Sequence, residues 1–370
     1  MAYRILLSGG GTGGHLYPAL NLAAALRRAE PDIQIVLVGA RRGIEAKVLP
    51  DSGWPYHLLP LEPLYRSRPW RNWRLVARSP AVLGGLSKIF SDLNPQVVVG
   101  TGGYASAPAV AWGVARGVSA AIQEQNAVPG LATRMLASQV DQIHLGYPEA
   151  RARIRPGRRT RVFDLGNPVA PHTGDRTFDW PGGRIVLVFG GSQGARALND
   201  LLISGLTAAQ EWPDDVSVVW VTGPAHHESV AARMRAVPLR DRVHLVPYIP
   251  DLGSQLAHVS LALTRAGAMT CAELTASGVP SVLVPLPTSA GDHQRFNAGA
   301  MVSSGAAVMR EEDSVTGGEL WRDVTALLSD GDRLRAMADA SRARGRPDAA
   351  DRIAETLLEL ASASREKADD

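Results

Sequence analysis

Two glycine-rich segments, half a chain apart, have the residue types and spacing of anion-binding turns. Residues 9–15 read Gly-Gly-Gly-Thr-Gly-Gly-His and follow the apolar run 5–7, while residues 190–196 read Gly-Gly-Ser-Gln-Gly-Ala-Arg and follow the apolar run 185–189. Glycines let the backbone approach a phosphate closely, and the N–H groups of a helix start point towards it. Neither segment continues into the Gly-Lys-Ser/Thr of a Walker A loop. The two turns therefore predict sites for a phosphorylated ligand.

A third candidate site is the segment 265–273, Arg-Ala-Gly-Ala-Met-Thr-Cys-Ala-Glu, which follows the apolar run 259–263. Small residues at a helix start would allow a diphosphate to reach the helix N-terminus. Glu273, further along the same helix, could accept two hydrogen bonds from ribose hydroxyls. The alternative for Glu273 is a capping box, because Thr270-x-x-Glu273 fits that pattern.

Polar segments follow several other apolar runs. Residues 292–297, Asp-His-Gln-Arg-Phe-Asn, carry amides and a histidine that suit sugar hydroxyls, although an ordinary polar helix start has the same composition. Residues 100–104 and 123–126 follow strands in the first half, and each is either a ligand loop or a tight turn. His15 ends the first glycine segment, where it could accept a proton from an attacking hydroxyl or serve only in capping and packing.

The elements that must position these residues follow from the apolar pattern. Short β-branched runs alternate with helical patterns in both halves, which predicts parallel sheets with crossover helices. A joint rich in Arg, Pro and Gly spans residues 151–183, and we expect domains at residues 1–163 and 164–345. Beyond a second joint, Ile353, Leu357 and Leu360 form a helical stripe, so a helix at about 346–365 is expected to cross back to the first domain.

Bulk composition limits the class of protein. The 370 residues are 45% hydrophobic and 20% charged, which is typical of soluble globular domains. The single cysteine excludes an internal disulfide framework and a cysteine-based zinc site, and it fits a reducing compartment. The chain runs directly into its first strand and has no apolar stretch near 18 residues, so we expect neither a signal peptide nor a spanning helix.

One stretch combines basic and aromatic residues. Between Glu62 and Asp92 there are six basic residues and no acid, with tryptophans and aliphatic residues interleaved. Arginine and tryptophan at this density favour the interface of an anionic membrane. A surface helix with a solvated basic face is the alternative. Nucleic acid is not an expected partner, because the basic charge is confined to this stretch and the formal net charge is only +3.

Taken together, seven motifs resemble the MurG family of peptidoglycan synthesis, which belongs to glycosyltransferase family 28. They occur in order over about residues 5–307, at positions 10–15, 102–104, 124–130, 166–169, 190–196, 265–270 and 292–294. The resemblance implies an α/β protein of the GT-B fold, in which two Rossmann-like domains with parallel sheets face a central cleft.

The resemblance also implies an activity. Members transfer GlcNAc from UDP-GlcNAc, with inversion, to the C4 hydroxyl of the muramyl sugar of undecaprenyl-pyrophosphoryl-MurNAc-pentapeptide, so that lipid I becomes lipid II. A helix dipole and N–H groups would stabilise the leaving UDP, without an obligatory metal ion or cofactor. The implied partners are UDP-GlcNAc, lipid I, the anionic cytoplasmic surface of the cell membrane and other proteins of cell-wall synthesis.

Site residues are carried over position by position. His15 is the expected general base, with Glu124 or a water relay as alternatives. Glu273 would hold the ribose, the backbone near Ile249 would read the uracil and Gln294 would bind the GlcNAc hydroxyls. Further substrate or transfer-site positions are Thr12, Gly13, Gly14, Tyr104, Asn126, Ser192, Asn199, Ala268, Met269, Thr270, Cys271 and Ala272. The membrane-docking positions are Trp70, Arg71, Trp73 and Arg74.

Two departures from the family pattern bear on the site. Gln123 stands where members usually have a histidine. The site therefore lacks one titratable group, which favours His15 as the general base. Ala170 stands where they usually have an arginine, so another residue must supply that nucleotide contact or it is absent.

Four other functions are compatible with parts of the pattern. Another lipid glycosyltransferase of this fold, such as a diacylglycerol glycosyltransferase, would differ in its substrates, and a UDP-sugar epimerase would leave the Trp/Arg segment unexplained. An NAD-dependent dehydrogenase would need an acidic residue at the end of a second strand, whereas Glu30 and Asp32 fall in a turn. A non-catalytic cell-wall scaffold would not bind UDP-GlcNAc.

Overall fold

The structure is a computed structural model that describes residues 2–63, 69–170, 178–191, 194–209, 212–238 and 240–369, without the side chains of residues 71 and 367–369. The chain divides into two compact units. Unit 1 comprises Met1–Pro168 together with Asp348–Asp370, and unit 2 comprises Val169–Pro347.

Unit 1 is built on seven parallel strands in the order β3-β2-β1-β4-β5-β6-β7. The strands are β1 Arg4–Ser8, β2 Gln34–Ala40, β3 Tyr56–Leu59, β4 Val97–Gly100, β5 Ser119–Glu124, β6 Gln142–Leu145 and β7 Arg161–Phe163. The helices are α1 Gly13–Ala29, α2 Glu45–Val48, α3 Trp73–Leu93, α4 Gly103–Ala115 and α5 Leu131–Leu136, with α13 Ala349–Asp369 at the end of the chain.

Alternation along β1 shows how the sequence buries both faces of this sheet. Ile5 and Leu7 face a core that includes residues of α1 and α13, whereas Leu6 faces a second core that includes residues of α3 and α4. Successive side chains of a strand point to opposite faces, so an unbroken apolar run fits a strand that is covered on both sides.

The last helix returns to unit 1. Ile353 and Leu357 of α13 are fully buried in the core beside α1. Thr356, on the same helix, accepts a hydrogen bond from Gln142 Nε2 through its carbonyl oxygen at 3.0 Å and pairs its hydroxyl with His144 Nε2 at 2.9 Å. The apolar stripe in the sequence and these polar contacts together attach α13 to the sheet.

Unit 2 is built on six parallel strands in the order β10-β9-β8-β11-β12-β13. The strands are β8 Arg184–Phe189, β9 Val216–Val221, β10 Val243–Val246, β11 Leu261–Thr264, β12 Ser281–Leu283 and β13 Ala307–Met309. The helices are α6 Arg196–Ala208, α7 His227–Met234, α8 Leu252–Gln255, α9 Ala268–Ala276, α10 His293–Ser303, α11 Gly317–Ser329 and α12 Gly331–Arg344.

The parallel α/β architecture predicted from the sequence is therefore confirmed. In both sheets the strand order reverses direction at one point, between β1 and β4 in unit 1 and between β8 and β11 in unit 2. Both glycine-rich turns follow a strand at such a point, where open α/β sheets bind their ligands. Within the described ranges, no helix has both the length and the apolar composition of a membrane span.

Candidate functional site

In unit 1, the loop after β1 and the loop after β4 lie against each other at the point where the strand order reverses. The Gly10 N–H donates to the carbonyl oxygen of Gly102 at 3.4 Å, and the Thr101 hydroxyl donates to the carbonyl oxygen of His15 at 2.7 Å. Gly102 has a φ of +92°, and a Cβ there would lie 2.6 Å from His15 Nδ1. Glycine at this position thus lets the imidazole pack directly against the second loop.

His15 is also bound by the segment after β5. Its Nδ1 lies 2.9 Å from Gln125 Oε1, and the Gln125 amide nitrogen donates to the carbonyl oxygens of Thr101 at 2.7 Å and Gln123 at 3.0 Å. His15 is half-buried, whereas Gln125 is buried. The loops after β1, β4 and β5 therefore meet at the His15 imidazole, at the edge of the sheet where its strand order reverses.

The other predicted positions of unit 1 surround the same helix start. Thr12 is the N-cap residue of α1, so His15 does not cap the helix, and the Thr12 side chain is exposed with no capping hydrogen bond. Gly14 is exposed and Gly13 is half-buried. The Tyr104 ring packs against Gly11, where a Cβ would lie 2.7 Å from Tyr104 Cε1.

Glu124 serves as a structural anchor in this structure. One carboxylate oxygen accepts hydrogen bonds from the backbone and side-chain nitrogens of Asn126 at 3.1 and 3.3 Å. The other accepts from the Gly130 N–H at 2.9 Å and from the Thr133 hydroxyl at 2.5 Å. Because both oxygens of this buried side chain already hold the loop after β5, Glu124 is poorly placed to take a proton from a substrate.

Sequence reasoning missed Glu45, the first residue of α2. Its side chain is fully buried, and its Oε1 accepts hydrogen bonds from the N–H groups of Gly11 at 2.9 Å and Ala40 at 3.1 Å. A Cβ on Gly10, Gly39 or Gly43 would overlap the Glu45 side chain. The glycines around an otherwise ordinary acid were the available signal, since they leave the space that the carboxylate fills.

In unit 2, α9 begins at Ala268 with Gly267 as its N-cap. Thr270 is therefore the third residue of the helix, no side chain caps the helix, and the capping-box interpretation of Glu273 is wrong. Met269 and Cys271 turn their side chains into the core, and the Cys271 N–H donates to the carbonyl oxygen of Gly267 at 2.9 Å. The first N–H groups of an α-helix have no intrahelical acceptor and carry a partial positive charge, which suits a diphosphate.

Glu273 lies further along α9, on a partly buried surface beside α8. A Cβ on Gly253 would lie 3.2 Å from the Glu273 carboxyl carbon. Burial disfavours the charged form of the side chain and raises the pKa of Glu273 to about 7. Its neighbour Ala272 is likewise half-buried.

Four other predicted positions of unit 2 have distinct surroundings. Gln294, on α10, accepts a hydrogen bond from the Leu286 N–H at 3.0 Å through Oε1. Asn199 is buried: its Nδ2 donates to the carbonyl oxygen of Thr222 at 3.0 Å, and its Oδ1 accepts from Trp220 Nε1 at 3.0 Å. The Ile249 side chain is in the core. Ser192 lies outside the described residues.

Two residues without a predicted role support the start of α9. The buried Arg265 guanidinium pairs with Glu312 and donates to the carbonyl oxygens of Val284 at 3.1 Å and Pro285 at 3.3 Å. Asn297, fully buried on α10, donates to the carbonyl oxygen of Ala266 at 3.2 Å. An arginine directly after an apolar run was the sequence signal for the first of them.

The basic, tryptophan-containing segment forms α3 and the turn before it. Trp70, Trp73 and Val76 are 71, 64 and 74% exposed, whereas Leu86 and Ile89 on the other side of α3 are buried. The Arg74 guanidinium lies 5.9 Å from the centre of the Trp73 ring. Residues 64–68 and the Arg71 side chain lie outside the described part of the chain.

Comparison with known proteins identifies the family. Models of the N-terminal and C-terminal domains of glycosyltransferase family 28 match residues 5–145 and 185–353. A protein of Exiguobacterium sp. named UDP-N-acetylglucosamine--N-acetylmuramyl-(pentapeptide) pyrophosphoryl-undecaprenol N-acetylglucosamine transferase is 37% identical, over 96% of this chain and 99% of its own. A protein of the same name from Chlorobaculum parvum is 39% identical, with the same coverage. The chain belongs to the MurG family.

The family assignment confirms the resemblance found in the sequence motifs and makes the protein a glycosyltransferase. The crystal structure of Acinetobacter baumannii MurG matches this chain with a TM-score of 0.76 and 24% identity, covering 96% of this chain and 99% of that one. At this identity the match supports the fold.

Proposed function

We propose that this member of the MurG family transfers GlcNAc from UDP-GlcNAc to undecaprenyl-pyrophosphoryl-MurNAc-pentapeptide. His15 Nε2 takes the proton of the muramyl C4 hydroxyl as the C4 oxygen bonds to C1 of GlcNAc with inversion. The bond from C1 to the diphosphate oxygen breaks, and its electron pair leaves with UDP. The observation that carries the proposal is the position of His15, at the strand-order reversal of unit 1 with Nδ1 bound to Gln125.

The donor belongs on unit 2. The N-terminus of α9, at Ala268 to Thr270, would receive the diphosphate, because its backbone dipoles stabilise the charge that UDP gains as it leaves. The Glu273 carboxylate would accept hydrogen bonds from the ribose, and the Gln294 amide nitrogen would donate to the sugar. Ser192 and the backbone at Ile249 complete the proposed donor contacts.

The acceptor belongs on unit 1. Thr12, Gly13 and Gly14 form the accessible start of α1 next to His15, and the Tyr104 ring lies beside the same loop. Asn126, anchored by Glu124, follows Gln125 directly. We assign the base to His15 rather than to Glu124, because the Glu124 oxygens hold this loop.

The decisive experiment measures UDP release from UDP-GlcNAc by purified protein in detergent, with and without lipid I and with EDTA. Acceptor-dependent release is expected, and it should persist in EDTA because helix N–H groups rather than a metal ion stabilise the leaving group. His15→Ala should lower kcat by about 10²- to 10⁴-fold, the usual contribution of a general base. His57→Ala is the matched control, because His57 is exposed on the edge strand β3.

Other results would redirect the proposal. Donor binding without release on lipid I would point to a different lipid acceptor for the same fold. Loss of both binding and release would favour a non-catalytic role in cell-wall assembly. Near-normal turnover by folded His15→Ala would remove His15 as the base.

The acceptor is a membrane lipid, and we propose that the start of α3 docks on the anionic cytoplasmic face of the membrane as a peripheral contact. Two tryptophans and a valine that are almost two-thirds or more exposed, next to Arg74, are the composition of an interfacial anchor. Other cell-wall synthesis proteins are further proposed partners on the same membrane.

A further inference from the structure

Three buried amides form a continuous chain of hydrogen bonds behind His15. Gln125 Oε1 lies 2.9 Å from His15 Nδ1, and the two hydrogens of the Gln125 amide nitrogen are shared among three acceptors, which are Gln123 Oε1 and the carbonyl oxygens of Thr101 and Gln123. Gln123 Nε2 donates to Asn167 Oδ1 at 2.9 Å, and Asn167 Nδ2 donates to the backbone carbonyl oxygen of Gln125 at 2.9 Å. All three amide side chains are at least 98% buried.

The direction of these hydrogen bonds is fixed from both ends. The Gln125 amide nitrogen faces the carbonyl oxygens of Thr101 and Gln123, which can only accept, so Oε1 must be the atom that faces His15. At the other end, Asn167 Nδ2 faces the Gln125 carbonyl oxygen, which sets Asn167 Oδ1 against Gln123 Nε2 and Gln123 Oε1 against Gln125. Reversing any one amide would place two acceptors or two donors together.

We propose that Gln125 is a positioning residue that holds neutral His15 in the tautomer protonated at Nδ1, and that the main-chain carbonyl oxygens of Thr101 and Gln123 fix the direction of the Gln125 amide. An amide oxygen has no hydrogen, so the hydrogen between Gln125 and His15 must belong to Nδ1. The Nε2 lone pair is then available for the acceptor proton. This inference rests on the proposed function, because it assigns the nitrogen through which His15 would act.

The neutral Gln125 amide can keep its contact with His15 throughout proton transfer. After transfer the ring carries a proton on each nitrogen, and its Nδ1–H keeps the contact with the neutral Gln125. The titratable side chains on the elements around His15 include Tyr17, Glu45, Tyr104 and Glu124. The carboxylates of Glu45 and Glu124 are bonded to other backbone groups, and the Tyr104 ring packs on Gly11.

The first test needs no substrate. In protein labelled with ¹⁵N-histidine, the His15 signals are identified by their loss in His15→Gln, and the neutral ring should show a protonated Nδ1 and an unprotonated Nε2. Gln125→Met removes the acceptor and should shift the ring towards the other tautomer. Gln139→Met, at an exposed glutamine of unit 1, should leave the signals unchanged. A neutral wild-type ring protonated at Nε2 would overturn the inference.

The second test uses the transfer reaction. Gln125→Met should lower kcat at least about tenfold, because a ring in the wrong tautomer accepts the proton poorly. The KM for UDP-GlcNAc should change little, because the proposed donor contacts lie on unit 2 and do not involve His15. Gln125→Glu keeps an acceptor for Nδ1–H and adds a negative charge, so the acidic limb of the pH profile should move up by about one unit or more. An unchanged kcat in folded Gln125→Met would contradict the inference.

Gln123→Met removes the side-chain contacts with Gln125 and Asn167 but leaves both main-chain acceptors of the Gln125 amide nitrogen in place, so Oε1 should still face His15. If the substitutions at position 125 unfold the protein, the wild-type spectrum and this variant provide the test. The histidine spectrum of Gln123→Met should keep the wild-type tautomer, and a ring protonated at Nε2 in this variant would contradict the orienting role of the main-chain carbonyl oxygens. The two proposals fail separately. The expected tautomer without transfer to any acceptor overturns the proposed function alone, whereas transfer with His15 protonated at Nε2 overturns the positioning role alone.

Discussion

The Glu45 carboxylate accepts a hydrogen bond from the Gly11 N–H at 2.9 Å, so a buried acid of α2 holds the middle of the glycine-rich loop. The same oxygen accepts from the Ala40 N–H at the end of β2. Among the described residues, its other oxygen, Oε2, has no hydrogen-bond partner. The Glu45 side chain, 34 positions from Gly11 in the sequence, therefore holds the loop that precedes His15.

Replacing Glu45 should affect both stability and the loop. Glu45→Ala would leave the Gly11 and Ala40 N–H groups without their acceptor and open a cavity, at a cost of about 2–4 kcal/mol in the free energy of unfolding. Glu45→Gln retains an acceptor for both groups and should cost less. Urea unfolding of both variants measures the difference, with the exposed Glu355→Gln as control. Equal stabilities for Glu45→Ala and Glu355→Gln would show that the carboxylate does not support the loop.

The raised pKa of Glu273, about 7, predicts pH-dependent donor binding. An ionised carboxylate accepts hydrogen bonds from two ribose hydroxyls more strongly than a neutral acid does. Calorimetric UDP binding by the wild type should therefore weaken by about tenfold from pH 8 to pH 5.5. The affinity of Glu273→Gln for UDP should depend less on pH, because only the titration of UDP itself would still contribute. Parallel pH dependences in the two proteins would exclude Glu273 as a ribose ligand.

Burial lowers the pKa of His144 to about 3, which predicts acid sensitivity in unit 1. The unfolded state binds the proton more tightly than the folded state, so the free energy of unfolding falls as pH drops below the unfolded pKa of about 6.5. Between pH 7.5 and pH 5 this loss amounts to about 2 kcal/mol. His144→Gln, which does not titrate, should lose less stability over this range, whereas the exposed His57→Gln should behave like the wild type. Urea unfolding of the three proteins at each pH measures these free energies. An equal loss of stability in His144→Gln and the wild type would contradict the prediction.

The docking surface on α3 predicts binding to anionic vesicles. Trp70→Ala with Trp73→Ala should abolish most cosedimentation with phosphatidylglycerol vesicles, because the exposed rings supply the apolar contact. Arg74→Ala should weaken binding mainly at low salt, where electrostatic attraction is least screened. Arg333→Ala removes an exposed charge from α12 of unit 2 and should bind normally. Full binding by the double tryptophan variant would place the membrane contact elsewhere.

The glycine-rich turns show which features of the fold could be predicted from the sequence. Their strands, their helices and the parallel pairing could be predicted because apolar runs, glycines and helical periodicity act over short stretches of chain. The basic, tryptophan-containing segment and the stripe on α13 could be recognised for the same reason. The local pattern Thr270-x-x-Glu273 misled, since α9 begins at Ala268 and the start of a helix depends on what packs around it.

The amino-acid sequence by itself determined the α/β class, the position of His15 after a glycine turn and the motifs of the family. Only the tertiary structure decided that Gln125 binds His15 from 110 positions away, that Glu45 holds Gly11, and that the Glu124 carboxylate is used as an anchor. These contacts join loops from different strands. Which side chains meet there depends on strand order and burial, because a buried polar group takes whatever partner the completed sheet places within hydrogen-bond distance.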